Sequence, residues 1–367
     1  MKGWTIQRLG IAVVIATCVA ISITAIAAAD TMRIGAILAL TGNSASNGQS
    51  IRDGILLAVD EINKRGGVNG SRVEVAIEDS KGDPQEAVEV FNRMERTRPA
   101  LFYMSFLSNV GVALGPLTDE KNVVLVGIST SAAAFVRDRQ MVYQYWPLVQ
   151  ADMPPLVRIL QDLNVKKLGI IYSSDEFGTA EQRLAVKAFS DTGGTVAAQS
   201  IQLTDTDFHR QLEALKDQDA IYIASVGSIL TETVRQLREA EFKGAILMPP
   251  SGANPTFFVM PQMQGVYVVA PVIYNQSYLF AREAGAKYTA RYQKPFDHWA
   301  AGGYDFIKLI TGLLEDHPVS RQSVQDVLAA GFDYSGVFGP VRLSPGEHVI
   351  SFPMYPAQIL NNTIKFR

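Results

Sequence analysis

Thiol chemistry has almost no foothold in this sequence: its 367 residues include a single cysteine, Cys18, inside an N-terminal apolar run. If that run is removed on export, disulfides and thiolate metal sites are excluded, and stability must come from the core. Histidine is nearly as scarce, and His209, His298, His317 and His348 are too scattered for metal-ligand spacing. There is no Gly-x-Gly-x-x-Gly and no P-loop. Nor is there a Gly-x-Ser-x-Gly elbow, because Gly127-Ile128-Ser129-Thr130-Ser131 lacks the second glycine. No lysine- and arginine-rich run marks a nucleic-acid surface, and the 33 basic and 36 acidic residues leave a formal charge of −3. Together these absences point away from an enzyme, a metalloprotein and a nucleic-acid binder, and they imply no cofactor.

What is present begins at the N-terminus. Lys2 and Arg8 are the only charges before Asp30, an apolar run extends from Leu9 to Ile26, and it closes on Ala27-Ala28-Ala29. A basic start, an apolar stretch and an Ala-x-Ala end are the marks of a secretory signal peptide, expected over residues 1–29. A membrane anchor is the competing reading, and the lack of a basic stop-transfer cluster weighs against it. Without Lys2 and Arg8 the basic count falls from 33 to 31 against 36 acidic residues, a net −5. The expected mature chain is exported and mildly acidic, and its length calls for two lobes, each with its own core.

Beyond Asp30, short apolar strands alternate with helical periods. The strand from Ile34 runs into Thr41-Gly42-Asn43-Ser44-Ala45-Ser46-Asn47-Gly48, a hydroxyl- and amide-rich loop without the glycine spacing or lysine of a phosphate cradle. Such a loop suits hydrogen bonds to a small solute. Ile51, Ile55, Ala58, Val59 and Ile62 then form one helical stripe, with Gly66 where a C-terminal cap is wanted. Val73, Val75 and Ile77 alternate as a strand, and Asp83-Pro84-Gln85-Glu86 reads as N-cap, N1 proline and N3 glutamate of a second helix. Strands 101–104 and 123–126 flank a helix over 110–121. The aromatic stretch 141–148, with Tyr143, Tyr145 and Trp146, is extended and marks a first crossing to another lobe. There the alternation resumes, with helices at 154–163, 179–192, 207–216 and 229–240. Strands are expected at 168–172, 196–201, 220–224, 245–248 and 266–273. Helices near 278–293 and 299–314 return to the first lobe, and a Gly/Pro-rich tail of short strands follows from Phe332. The pattern predicts parallel sheets covered on both faces and reached by right-handed crossovers.

Five motifs in order and spacing carry a resemblance. They are the Gly42 to Gly48-Gln49 loop, Ala58-Val-Asp-Glu-Ile-Asn63, Gly66-Gly-Val-Asn-Gly70, Asp83-Pro84 with Ala87-Val88, and Phe177-Gly178 after a strand. The chain resembles the periplasmic leucine/isoleucine/valine-type binding proteins, the type I solute-binding proteins of ABC importers. This resemblance implies an α/β fold of two doubly wound, Rossmann-like lobes joined by a three-crossing hinge that closes on a ligand. The crossings are expected near 146–149, 271–275 and 334–339. One lobe is then 30–147 plus 275–335, and the other 148–274 plus 336–367. It also implies a periplasmic location, a small organic acid or amino acid as ligand, a membrane ABC permease as partner, no nucleic acid, and a monomer.

Binding crevices of such sheets lie outside the carboxyl ends of strands. Ser105-Phe106-Leu107-Ser108-Asn109 and Ile128-Ser129-Thr130-Ser131-Ala132 stand there, and serines beside a helix N-terminus hold a carboxylate without any lysine or arginine. The resemblance implies carboxylate contacts at Ser108, Thr130 and Ser131, with Asn47, Phe106 and Leu107 close by, while Ser129 reads as an N-cap. On the other lobe Phe177, Val226 and Ser251 are the candidates, with core packing as the alternative for Phe177; Trp146 and Tyr274 at the crossings, and Tyr304 near a helix start, are further ones that either flank the ligand or pack the hinge. Amino-acid binders of the family bring an acid on the loop after the strand at 245–248. Here Pro249-Pro250-Ser251-Gly252-Ala253-Asn254 carries none, and a buried ammonium without an anion costs several kcal/mol. Asp175 is the alternative source of an acid, although its place before Glu176 suggests a solvated turn. The expected ligand is thus a small aromatic or aliphatic acid lacking an α-amine, with an amino acid as the alternative and a sensing module without transport as another.

Overall fold

A computed structural model describes residues 31–275, 278–350 and 352–367, so the expected signal peptide and Cys18 lie outside the described residues. β1 (Met32–Leu38), β2 (Val73–Asp79), β3 (Phe102–Ser105), β4 (Val124–Ile128) and β5 (Val142–Tyr145) form a parallel sheet in the order β2-β1-β3-β4-β5. All of β3 and β4 is buried, which accounts for their lack of polar alternation: helices cover both faces. On one face α1 (Ala45–Lys64) packs against α10 (His298–Leu313), and the two backbones nearly touch. A Cβ on Gly54 would sit 2.0 Å from the Ala300 carbonyl oxygen, and one on Gly303 2.4 Å from that of Ile51. The expected stripe of Ile51, Ile55, Ala58, Val59 and Ile62 is buried.

α2 (Pro84–Thr97) starts as its sequence requires: Asp83 Oδ1 accepts from the amides of Gln85 and Glu86. α3 (Ser108–Glu120) follows β3. The loop expected over residues 41–48 is shorter than that, because α1 begins at Ala45 and takes Asn47 and Gly48 into its first turn. Gly48 is needed there, since a Cβ would lie 1.9 Å from the Ala39 carbonyl oxygen. The aromatic stretch at 141–148 contributes β5 to the sheet before it crosses. A helix not foreseen, α11 (Arg321–Ala329), docks through Arg321, which reaches the Ala100 carbonyl and Glu95.

The second sheet has the order β14-β13-β10-β9-β8-β6-β7. β6 (Lys167–Ser173), β7 (Thr195–Ile201), β8 (Ala220–Ala224), β9 (Ala245–Met248) and β10 (Tyr267–Pro271) run parallel. β13 (Met354–Leu360) and β14 (Thr363–Phe366) extend the sheet antiparallel beyond β10. The helices accompanying these strands are α4 (Met153–Asp162), α5 (Glu176–Ser190), α6 (His209–Ala214), α7 (Ser228–Glu239) and α8 (Pro255–Phe258), and α9 (Leu279–Tyr292) follows β10. α5 starts three residues before the expected 179, because Asp175 caps it.

The segment 334–339, expected as the third crossing, is instead the closed end of a hairpin, in which Val337 and Phe338 turn between β11 (Phe332–Gly336) and β12 (Gly339–Leu343). Tyr334 and the Val337 amide both donate to Asp305 of α10, and the Ile350 amide donates to the Gln144 carbonyl of β5. Backbone and side-chain bonds thus keep residues 332–350 beside the first sheet, and the chain reaches the second only at β13.

Candidate functional site

Loops from both sheets meet around a narrow space of ≈ 420 Å³ at the carboxyl ends of the strands. From the first sheet come Phe106, Leu107 and Ser108 after β3, Ser129 and Ser131 after β4, Trp146 after β5, and Trp299 on α10. From the second come Asp175 and Phe177 after β6, Val226 after β8, and Pro250 and Ser251 after β9. Larger grooves, ≈ 890 Å³ along β1 and β2 and ≈ 1100 Å³ beside α9, do not involve these loop ends.

The first wall is built for negative charge without any cation among its lining residues. Leu107 is the N-cap of α3 with φ 74° and ψ 136°, a conformation costly for a side-chain-bearing residue, and no side chain caps the helix. Its uncapped first-turn amides and the helix dipole favour an anion there. The Ser108 hydroxyl accepts from the Ala132 amide at 3.3 Å, joining the two serine-rich turns. Ser129 has φ 59°, and the Ser131 carbonyl accepts from the Val149 amide at 3.0 Å, tying its turn to the first crossing. Ser129 Oγ, Thr130 Oγ1 and Trp299 Nε1 are buried without a hydrogen-bond partner. Buried polar groups are nearly always satisfied, and two of these three, Ser129 and Trp299, line the space beside the uncapped helix end, where a ligand can satisfy them. The Trp299 ring meets Phe106 edge-on at 5.3 Å.

On the second wall, Asp175 Oδ1 accepts from the Ser173 hydroxyl at 2.8 Å and from the Gly178 amide at 2.9 Å. That cap is why Phe177 stands in the first turn of α5 and faces the space. The Ser251 hydroxyl donates to the Ser225 carbonyl at 2.8 Å, so it joins the loops after β8 and β9. Gly227 caps α7 at φ 68°, where its missing Cβ would be 2.8 Å from the Asn43 carbonyl oxygen. The Asn43 amide also donates to the Leu203 carbonyl at 3.3 Å and accepts from the Ser228 hydroxyl, bonding one wall's loops to the other's.

Of the residues expected at the site, Phe106, Leu107, Ser108, Ser131, Phe177, Val226 and Ser251 line this space. Asn47, Thr130 and Tyr304 do not. Asn47 is buried in the first turn of α1, and the Thr130 Cβ packs over Gly127. The Tyr304 hydroxyl donates to Glu61 at 3.0 Å in the α1–α10 contact, and burial with the adjacent Glu61 charge raises its pKa far out of range. Trp146 and Asp175, each a candidate from the sequence, also line it, and so do Ser129, Pro250 and Trp299. Ser129, expected as an N-cap, has a left-handed backbone, and its hydroxyl makes no capping bond. Trp299 gave no sequence signal, being one apolar residue in a helix buried on nearly every side.

Behind the tryptophans lies His298, fully buried, stacked on Trp146 with ring centroids 5.2 Å apart and tilted against Trp299 at 4.1 Å. Its Nδ1 is 2.8 Å from the Tyr274 hydroxyl and 3.0 Å from the Ala253 carbonyl. Burial pushes its pKa down to about 3. The Tyr274 hydroxyl donates to the same carbonyl. Among the described residues no cluster of acids, histidines or cysteines has the arrangement of a metal site, and no helix is long and apolar enough to cross a membrane.

The chain belongs to the periplasmic binding protein family, which it matches over residues 31–363. It is 26% identical to a leucine-, isoleucine-, valine-, threonine- and alanine-binding protein of Pseudomonas aeruginosa over 62% of each chain, so the match spans somewhat under two thirds of that relative. Among solved structures it is similar to a leucine-binding protein, LivK, of Thermotoga maritima, with TM-score 0.84, 19% identity, and coverage of 92% of this chain and 98% of that one. It is likewise similar to an ABC-transporter solute-binding protein of Rhodopseudomonas palustris in complex with benzoate, with TM-score 0.85, 17% identity, and coverage of 92% and 95%. Two α/β lobes of the type I binding-protein fold are what these likenesses share with it.

Proposed function

We propose that this protein is an exported solute receptor of ABC-type transport that closes its two lobes on a small carboxylate-bearing organic solute. The uncapped N-terminus of α3, flanked by the partnerless Ser129 Oγ and Trp299 Nε1 in a wall without cations, carries the reading. There a carboxylate satisfies several donors at once. Phe106, Leu107, Trp146, Phe177 and Val226 hold the body of the solute. The lobes we assign are 30–147 with 275–350, and 148–274 with 351–367, and the site is Ser108, Ser129, Ser131 and Trp299 facing Asp175, Phe177 and Val226.

The loop 249–254 carries no carboxylate, which favours an aromatic or aliphatic acid without an α-amine, in keeping with the benzoate-bound neighbour. A second reading, an amino acid, draws on Asp175 in the lining and on the amino-acid-binding relative. Delivery to a membrane permease from the periplasm completes the proposal.

Calorimetry with the mature protein and benzoate, 4-methylpentanoate and leucine tests it. Ser129→Ala and Trp299→Phe each remove a donor and should weaken the bound acid about tenfold, the worth of a hydrogen bond to a charged group. Unchanged affinity in both variants would overturn the assignment.

A further inference from the structure

We infer that Asp175 selects solutes carrying a hydrogen-bond donor, a hydroxyl or an ammonium, that faces it across the cleft from the carboxylate. This rests on the carboxylate reading of the first wall. Asp175 is the one charged side chain among the described residues lining the space, and it is half-buried there. Its Oδ1 is committed to the Ser173 hydroxyl and the Gly178 amide, while its Oδ2 accepts from no described residue. The cap therefore holds the carboxylate in one orientation and leaves a pre-organised acceptor beside Phe177.

Closure around that oxygen sets a penalty. An anionic acceptor shut against Phe177, Val226 and Pro250 loses water, and a solute that is apolar at this end gives it nothing in return. A solute with an O–H or N–H donor there restores the bond. The chemical class is thus an organic acid with a second, donating polar group, either a hydroxylated acid or an amino acid.

Asp175→Asn separates the two roles of this side chain. Its amide oxygen still accepts from Ser173 and Gly178, and its amino group replaces Oδ2, turning an acceptor into a donor. The measurement is calorimetric affinity for two matched pairs, benzoate with 4-hydroxybenzoate and 4-methylpentanoate with leucine, on the mature wild-type protein, Asp175→Asn and Ser129→Ala, with melting curves to verify folding. In the wild type the donor-bearing member of one pair should bind about tenfold or more tightly, and that pair tells hydroxyl from ammonium. In Asp175→Asn the ratio should fall to about one or invert. A ratio near one in both wild-type pairs, or the same ratio in Asp175→Asn, overturns this inference alone if Ser129→Ala still weakens binding. Binding of none of the four acids overturns the carboxylate reading together with it.

Discussion

Asp152 and Glu181 are an acid pair sealed inside the second lobe. Asp152 ends the short turn before α4, Glu181 lies on α5, and both are fully buried; the Tyr222 hydroxyl of β8 donates to Glu181 Oε2 at 2.7 Å. Burial raises the Glu181 pKa to about 7, and burial together with the neighbouring Glu181 charge holds Asp152 well above the usual carboxylate range. In the unfolded chain Glu181 returns to about 4.3. The folded protein therefore binds more protons between these values, so the contribution of Glu181 to stability is full below pH ~4.3 and is lost as pH rises through about 7. Glu181→Gln keeps an acceptor for Tyr222 without the charge. Its melting temperature should exceed that of the wild type at pH 8 by about 2–4 °C for each kcal/mol gained, and the gap should close by pH 5. Equal shifts at both pH values would show that the charge is not the cause. Sequence pattern gave little notice of this pair, because Glu181 follows Ala180 on a helix whose buried face only packing defines.

Among the elements, the contact of α1 with α10 is set by glycine rather than by bulk. Gly54→Ala would thrust a methyl group to 2.0 Å from the Ala300 carbonyl oxygen and force the helices apart. The expected loss is about 1–3 kcal/mol, as for overpacked cores, read by urea unfolding; a loss below ~0.5 kcal/mol would mean that the helices adjust freely. The buried stripe of α1 and the Asp83 cap of α2 were legible because each depends on residues within a few positions. α11 was not, since its docking rests on Arg321 reaching Ala100 and Glu95, partners far away in sequence. The start of α5 at Asp175 was misjudged for a related reason: an aspartate before a glutamate looks solvated until its cap bonds are seen.

For the whole molecule, the bonds between Asn43 and the Leu203 and Ser228 side of the second lobe oppose opening of the hinge we propose. Asn43→Ala should weaken solute binding about 2–10-fold, the worth of one or two ordinary hydrogen bonds, and leave the melting temperature without solute nearly unchanged, because the bonds are exposed. Small-angle scattering should find the variant more extended, and unchanged affinity would discount the contact. Gly227→Ala should act in the same direction, its methyl group meeting the Asn43 carbonyl oxygen at a backbone angle that only glycine accepts easily.

The loop after β1 shows where reading along the chain stops. Its hydroxyls and amides suggested a grip on the solute, yet Asn43 spans the lobes and Asn47 is buried within α1. Strand and helix alternation, the Asp83 cap of α2 and the family were determined by the sequence alone, since apolar periodicity and capping chemistry act over a few neighbouring residues. Which hydroxyls face the cleft, the pairing of Trp146 with Trp299 around His298, and the placement of Asp175 opposite the serines were decided by tertiary structure. Each depends on how two sheets and their crossings set distant segments against one another, and no local pattern encodes that distance.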